Sequence, residues 1–169
     1  MFGKVLLVGE DTPTMKLVLD RVAKRDFEVQ LVESPGEALA VLEQSEVDVV
    51  VLNFKDLMAE GIRFLRSLKK SRPRIEVITL SIPSALRLSI EGMKLGAFAD
   101  LLMPFDLEDL VGKILEAWEQ KKKKGRSLRQ RLEELAVSVS FAEAGDFDTA
   151  RQLINKPQGS GQSSKKEDE

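Results

Sequence analysis

Few side chains in this sequence are equipped for chemistry, and that narrows what it can do. It contains no histidine and no cysteine. The commonest general base near neutral pH is therefore missing, along with the commonest metal ligand, thiolates and disulfides. A histidine-borne phosphoryl relay on this chain is ruled out for the same reason. What remains is a set of residues that each close a short apolar run. Gly9, Glu10 and Asp11 follow Val5-Leu6-Leu7-Val8, and Asn53 ends Val49-Val50-Val51-Leu52. Ser81 follows Val77-Ile78-Thr79-Leu80, and Met103 closes Leu101-Leu102. In open α/β sheets ligands bind at the carboxyl ends of the strands. A carboxylate at such a place has the charge and the lone pairs to take a phosphoryl group. The amide of Asn53 is neutral and far less nucleophilic.

The elements that must position these residues are legible from periodicity. Five apolar runs, Val5 to Val8, Val29 to Val32, Val49 to Leu52, Val77 to Leu80 and Leu101 to Met103, read as strands. Several are nearly continuous in β-branched and leucine residues, as strands covered on both faces must be. Between them lie helical stripes: Met15, Val18 and Val22; Ala38, Leu39 and Leu42; Ile62, Leu65 and Leu68; Leu86, Ile90 and Met93; and Leu107, Leu110, Val111, Ile114, Leu115 and Trp118. Asp106 is placed to cap the last of these, Gly96 to end the fourth, and Pro104 to stop the fifth strand. Strands alternating with helices predict an α/β fold, a doubly wound five-stranded parallel sheet.

The chain has 169 residues, is 43% hydrophobic and 32% charged, and carries a formal net charge of -2. That suits one globular domain with an appendage, and confines any nucleic-acid argument to a local patch. No signal peptide is legible and no apolar stretch approaches the roughly 20 residues that span a bilayer, so a soluble cytoplasmic protein without membrane contact is expected. Composition changes after Trp118. The predicted organisation is a main domain over 1–120, a basic linker or helix extension over 121–125, a helical hairpin over 126–155, and a disordered polar tail over 156–169. Leu128, Leu132, Leu135, Ala136 and Val139 share a face of the first hairpin helix, and Gly125 is read as the end of the basic run.

Up to Trp118 the sequence resembles the receiver domain of bacterial response regulators, the family of the chemotaxis regulator. The resemblance rests on several segments together: Val5-Leu6-Leu7-Val8-Gly9-Glu10-Asp11, Gly36-Glu37-Ala38-Leu39, Asp48 to Asn53 followed by Gly61 in the next loop, Val77 to Ser81, Gly96-Ala97, and Met103-Pro104-Phe105-Asp106. It implies a flavodoxin-like sheet in the order 2-1-3-4-5. It also implies a reaction that needs five groups: two acids holding Mg²⁺, an acceptor aspartate, a hydroxyl and a lysine, the cations neutralising charge on the transferring phosphoryl. At those positions stand Gly9, Glu10, Asn53, Ser81 and Met103. The nucleophile, one metal ligand and the fixed cation are gone. Losing one well-placed electrostatic donor typically costs on the order of 10² to 10³ in rate, and losing the nucleophile removes the aspartyl-phosphate altogether. Asp100 stands where the family carries a mobile aromatic, and Asp56-Leu57 replaces its Met-Pro.

The resemblance with these departures implies a degenerate, non-enzymatic receiver-like module, working by protein–protein contact in two-component, phosphorelay-type signalling. No cofactor or metal is expected; Glu10 and Asp11 are the acids placed to hold any residual Mg²⁺. The family's usual contact surface, made by the fourth helix, fifth strand and fifth helix, would present Arg87, Glu91, Lys94, Asp100, Asp109 and Lys113. This mixed-charge set suits specific pairing with a partner or a second copy, and the C-terminal helices offer another dimer contact. Two alternatives stay open. One is phosphotransfer to a different acceptor, Asp11 or Asp56. The other is nucleic-acid binding through the basic segment 121–131, which the lack of interleaved aromatics argues against.

Overall fold

Five parallel strands form, four of them on their apolar runs and the last overlapping its run: β1 (Lys4–Val8), β2 (Glu28–Val32), β3 (Val49–Asn53), β4 (Glu76–Ser81) and β5 (Ala99–Leu102). The computed structural model describes residues 3–143 and 145. The chain divides into two units, Met1–Gly125 and Arg126–Glu169. In the first, the strands lie in the order β2-β1-β3-β4-β5, every neighbouring pair parallel. The helices are α1 (Pro13–Ala23), α2 (Pro35–Gln44), α3 (Phe54–Ser71), α4 (Leu86–Lys94) and α5 (Leu107–Glu143), with a 3-10 turn at Pro83–Ala85 before α4.

The period of two along each strand divides the core into two layers. Leu6, Val8, Val50 and Leu52 pack on one face with Ala38, Leu42, Phe54, Leu65 and Leu68. Val5, Leu7, Val49 and Val51 pack on the other with Met15, Val18, Leu110 and Ile114. One layer therefore takes α2 and α3, the other α1 and α5, which is why residues 5–8 of β1 and 49–52 of β3 are apolar without a break. The helix starts follow local chemistry. Thr12 Oγ1 accepts from the Met15 amide at 3.2 Å, Ser34 Oγ from the Glu37 amide at 3.2 Å, and Asp106 Oδ1 from the Glu108 amide at 2.8 Å. Proline opens α1 and α2, where no amide hydrogen is needed. Gly96, at φ +100°, ends α4 as its sequence position predicts.

Three expectations change. β5 spans Ala99–Leu102 rather than Leu101 to Met103, because an edge strand is fixed by its one hydrogen-bonded neighbour and not by burial. Gly61 lies inside α3, not in a loop. A Cβ there would approach the Phe54 ring at 3.0 Å, and one at Gly92 of α4 would meet the same ring at 3.0 Å. The two glycines thus form a slot for a fully buried phenylalanine. Finally, α5 runs through Gly125 to Glu143 without a break. The second arm of the expected hairpin and the polar tail lie outside the described residues.

The basic run on α5 has a structural use. Lys121 is buried and donates to Asp48 Oδ1 at 2.7 Å and to the Val47 carbonyl at 3.1 Å. Lys124 pairs at 2.5 Å with Glu76, a carboxylate 1% exposed at the amino end of β4. Lys69 stands 3.8 Å from the same carboxylate and donates to the Ile75 carbonyl at 2.8 Å. Burial holds the Lys69 ammonium below its ordinary pKa, against the pull of Glu76. Lys122 covers the Trp118 ring at 4.1 Å from its centroid. A buried carboxylate left alone would be costly, so this end of the sheet is closed by α5 lysines.

Candidate functional site

The carboxyl ends of β1, β3 and β4 meet where the sequence placed its candidate chemistry, but the side chains there bond to one another. Asn53, the last residue of β3, is buried. Its Nδ2 donates to Asp56 Oδ2 at 2.6 Å, and its Oδ1 accepts from the Lys55 amide at 3.1 Å, capping α3. Asp56 Oδ2 also accepts from the Glu10 amide at 3.0 Å, across from the β1–α1 loop. One carboxylate oxygen thus ties the first and third strand ends together. An acid three residues beyond an amide at a helix start is the sequence signal that points to Asp56 in this role.

Gly9 is buried beneath this pair. A Cβ on it would lie 2.7 Å from Asn53 Cβ and 2.9 Å from Asp56 Oδ2. Position 9 therefore has no room for an acidic side chain while Asn53 and Asp56 stay where they are. Glu10 and Asp11 are exposed, and Asp11 lies 3.3 Å from the Lys16 ammonium. Among the described residues, no three acids group closely enough to hold a metal ion. Met58, at φ 48°, breaks α3 just past the site and leaves its side chain half exposed.

Ser81, fully buried at the end of β4, donates to Asp100 Oδ2 at 2.7 Å. Two further hydroxyls converge on the same carboxylate: Thr79 at 2.6 Å on Oδ1 and Ser89 of α4 at 2.6 Å on Oδ2. Asp100, on β5, thus joins β4, β5 and α4 in one polar cluster. Sequence reading placed Asp100 among the charges of a contact face; in the structure its carboxylate is committed to the hydroxyls. The buried hydroxyls two apart on β4 and one on the inner face of α4 are a signal that some acceptor lies between. Met103 is half buried among the apolar residues of the α1–α5 layer, and its amide donates to the Ser81 carbonyl at 2.7 Å. It brings no charge to the cleft.

The α4–β5–α5 surface differs from the mixed-charge picture in one respect. Arg87, Lys94 and Asp109 are exposed. Glu91 pairs with Arg66 at 2.9 Å and Lys113 with Glu116 at 2.9 Å. Among these charges, Leu86, Ile90 and Met93 stand exposed at the spacing of one helix face, and Leu102 is exposed on the edge strand. In the second unit Leu128, Leu132 and Leu135 are also exposed along one stripe of α5.

Comparison with known proteins accords with this architecture. The family model described as "Response regulator receiver domain" matches residues 5–115. Over 116 residues the chain is 28% identical to the transcriptional regulatory protein GlrR of Escherichia coli (strain K12), covering 69% of this chain and 26% of that protein. It is 25% identical over 147 residues to the DNA-binding transcriptional regulator NtrC of Bradyrhizobium sp. (strain RP501 Parasponia), covering 87% of this chain and 28% of that protein. The chain spans about a quarter of the length of these curated relatives. Among solved structures, a receiver domain protein from Clostridium thermocellum superposes with a TM-score of 0.65 at 29% identity, covering 71% of this chain and 97% of that one. A CheY-like receiver domain protein from Methanospirillum hungatei JF-1 gives 0.66 at 25%, covering 72% and 98%.

Proposed function

The chain belongs to the response regulator receiver domain family, and from that membership we propose that it is a receiver that works without phosphorylation, as a non-enzymatic protein-contact module in two-component signalling. The observation that carries this reading is Asn53. The residue at the β3 end is an amide, used at both of its polar atoms to hold Asp56 and the start of α3. Gly9 and Met103 supply neither a second acid nor a cation beside it. Ser81, the remaining hydroxyl, is turned to Asp100. A ligand shifts an equilibrium only through contacts that differ between two states, and a site bonded to itself offers few such contacts.

In this reading the output is the α4–β5–α5 surface, where an exposed apolar stripe of Leu86, Ile90 and Met93 runs between charged residues. Apolar anchors ringed by charge are the usual anatomy of a specific interface. A protein partner of the pathway, or a second copy of the chain through this face or through the Leu128, Leu132, Leu135 stripe, is the proposed occupant. The basic segment is a poor nucleic-acid site, because Lys121 and Lys124 are already paired with Asp48 and Glu76. Acting in the cytoplasm, the module needs no cofactor.

A second reading keeps phosphotransfer and moves it to Asp56, favoured by one fact: this carboxylate stands in the cleft itself, beside Asn53 and the Glu10 amide. Incubation with Mg²⁺ and acetyl phosphate, followed by intact mass, separates the two. No mass gain is the expected result. Gain of one phosphate, lost in Asp56→Ala or Asp11→Ala, establishes the second reading and removes the first.

A further inference from the structure

We infer that the amino end of the sheet carries a small-molecule site for an oxyanion borne on an apolar body. A cleft of about 300 Å³ opens there between the α2–β3 connection, the α3–β4 connection and α5. It lies beyond the opposite ends of the strands from Asn53, with the roughly 17 Å length of a five-residue strand between them.

Its chemistry is set by three cations over an apolar wall. Arg72, Arg74 and Lys121 line it, with Leu42, Val47 and Ile75 behind them. Lys121 spends its ammonium on Asp48 and the Val47 carbonyl. Arg72 and Arg74 differ: among the described residues neither guanidinium has an ion pair or a side-chain hydrogen bond. Glu46, the acid on the lining, has a side chain 90% exposed and sits 3.8 Å from Lys121. The Ser45 and Ser71 hydroxyls donate to their own helices, at the Val41 and Ser67 carbonyls. Donor capacity in the cleft therefore rests on the two guanidiniums. Guanidinium forks bind phosphate and carboxylate through paired hydrogen bonds.

The backbone brings the two arginines to the cleft, and α5 leaves room for one of them. Pro73 fixes the backbone between Arg72 and Arg74. Gly125 stands in the middle of α5, where glycine is the poorest choice after proline. A Cβ there would lie 2.7 Å from an Arg74 guanidinium nitrogen. The missing side chain is the space that Arg74 occupies. The volume suits a ligand at the small end of the usual range.

The test uses amide chemical shifts of the full chain at low salt, titrated with adenosine monophosphate, benzoate and inorganic phosphate. Adenosine monophosphate or benzoate is expected to give saturable shifts around Ser45, Val47 and Arg74, with a Kd on the order of 1 mM or below; which of them binds tells phosphate from carboxylate. Inorganic phosphate, with nothing to lay on the apolar wall, is expected to bind about tenfold more weakly. The Arg72→Ala and Arg74→Ala variants should each weaken binding about tenfold. Lys123→Ala, which removes an exposed charge outside the lining, should leave it within about twofold. Gly125→Ala keeps the helix and crowds Arg74, so it should weaken binding with no loss of thermal stability. Absence of saturable shifts with both organic probes overturns the site. So does binding indifferent to Arg72→Ala and Arg74→Ala, or inorganic phosphate binding as tightly as either organic probe.

Discussion

Replacing Asp100 by alanine isolates the polar cluster that joins β4, β5 and α4. Three hydroxyls lose one acceptor, at bonds of 2.6, 2.7 and 2.6 Å. Their fates differ. Ser89 sits in α4 and can turn back to the carbonyl of Ala85, four residues earlier. Thr79 and Ser81 are fully enclosed on β4, and a buried hydroxyl without an acceptor costs about 1–3 kcal/mol. Asp100 is itself only half buried, so water can enter the vacated space and the lower part of that range applies to each. The expected loss is about 2–4 kcal/mol, a large share of the 5–15 kcal/mol that usually separates folded from unfolded states. In urea the midpoint should fall by about 1–3 M with an unchanged slope. Asp100→Asn keeps one acceptor oxygen and presents an amide donor, so it should cost about half as much. A midpoint for Asp100→Ala corresponding to less than about 0.5 kcal/mol, the size of an ordinary surface substitution, would refute the claim that this carboxylate holds the three elements together.

Asn53→Asp should not restore phosphorylation from acetyl phosphate and Mg²⁺, measured by intact mass, because Gly9 and Met103 still leave the second acid and the cation absent. The same variant puts a carboxylate against Asp56, where the amide now donates at 2.6 Å. It should lose about 1–3 kcal/mol near neutral pH by urea unfolding, and recover part of it as the pH falls through the carboxylate range near 4. Gly92→Ala would press a methyl into the Phe54 ring at 3.0 Å, and should lower stability by about 1–3 kcal/mol, seen as a lower Tm. Lys69 carries a folded-state pKa below 10.5, so the unfolded chain binds its proton more tightly. Its charged form therefore costs stability, fully below the folded pKa, and the cost is removed as the pH rises through that pKa towards 10.5. The stability of the natural protein relative to Lys69→Met should rise with pH across that window in paired unfolding curves.

Much of this was legible in the sequence because burial on both faces leaves a plain signature. β1 and β3 are runs of valine and leucine, and the caps at Gly96 and Asp106 follow from residue type. β5 was misplaced because the edge of a sheet is half wet, so hydrophobicity no longer marks its limits. Asp100 and Asp56 were hidden for another reason. A carboxylate's partners here come from residues 79, 81 and 89, or from 10 and 53, and only the folded topology brings them together. Lys121 and Lys124 belong, by sequence, to a basic linker or helix extension. The clue was on the other side: Asp48 and Glu76 stand at the head of buried strands, and an enclosed acid requires a cation. Gly125 ends the basic run in the sequence, yet α5 continues through it.

The most direct measurement of whether this receiver can still respond to a phosphoryl group is an amide spectrum recorded with Mg²⁺ and beryllofluoride. If the strand ends are bonded to themselves, the amides of Glu10, Asn53, Ser81 and Met103 stay in place at saturating concentrations of both. Saturable shifts at those four residues, spreading into α4, would contradict the account.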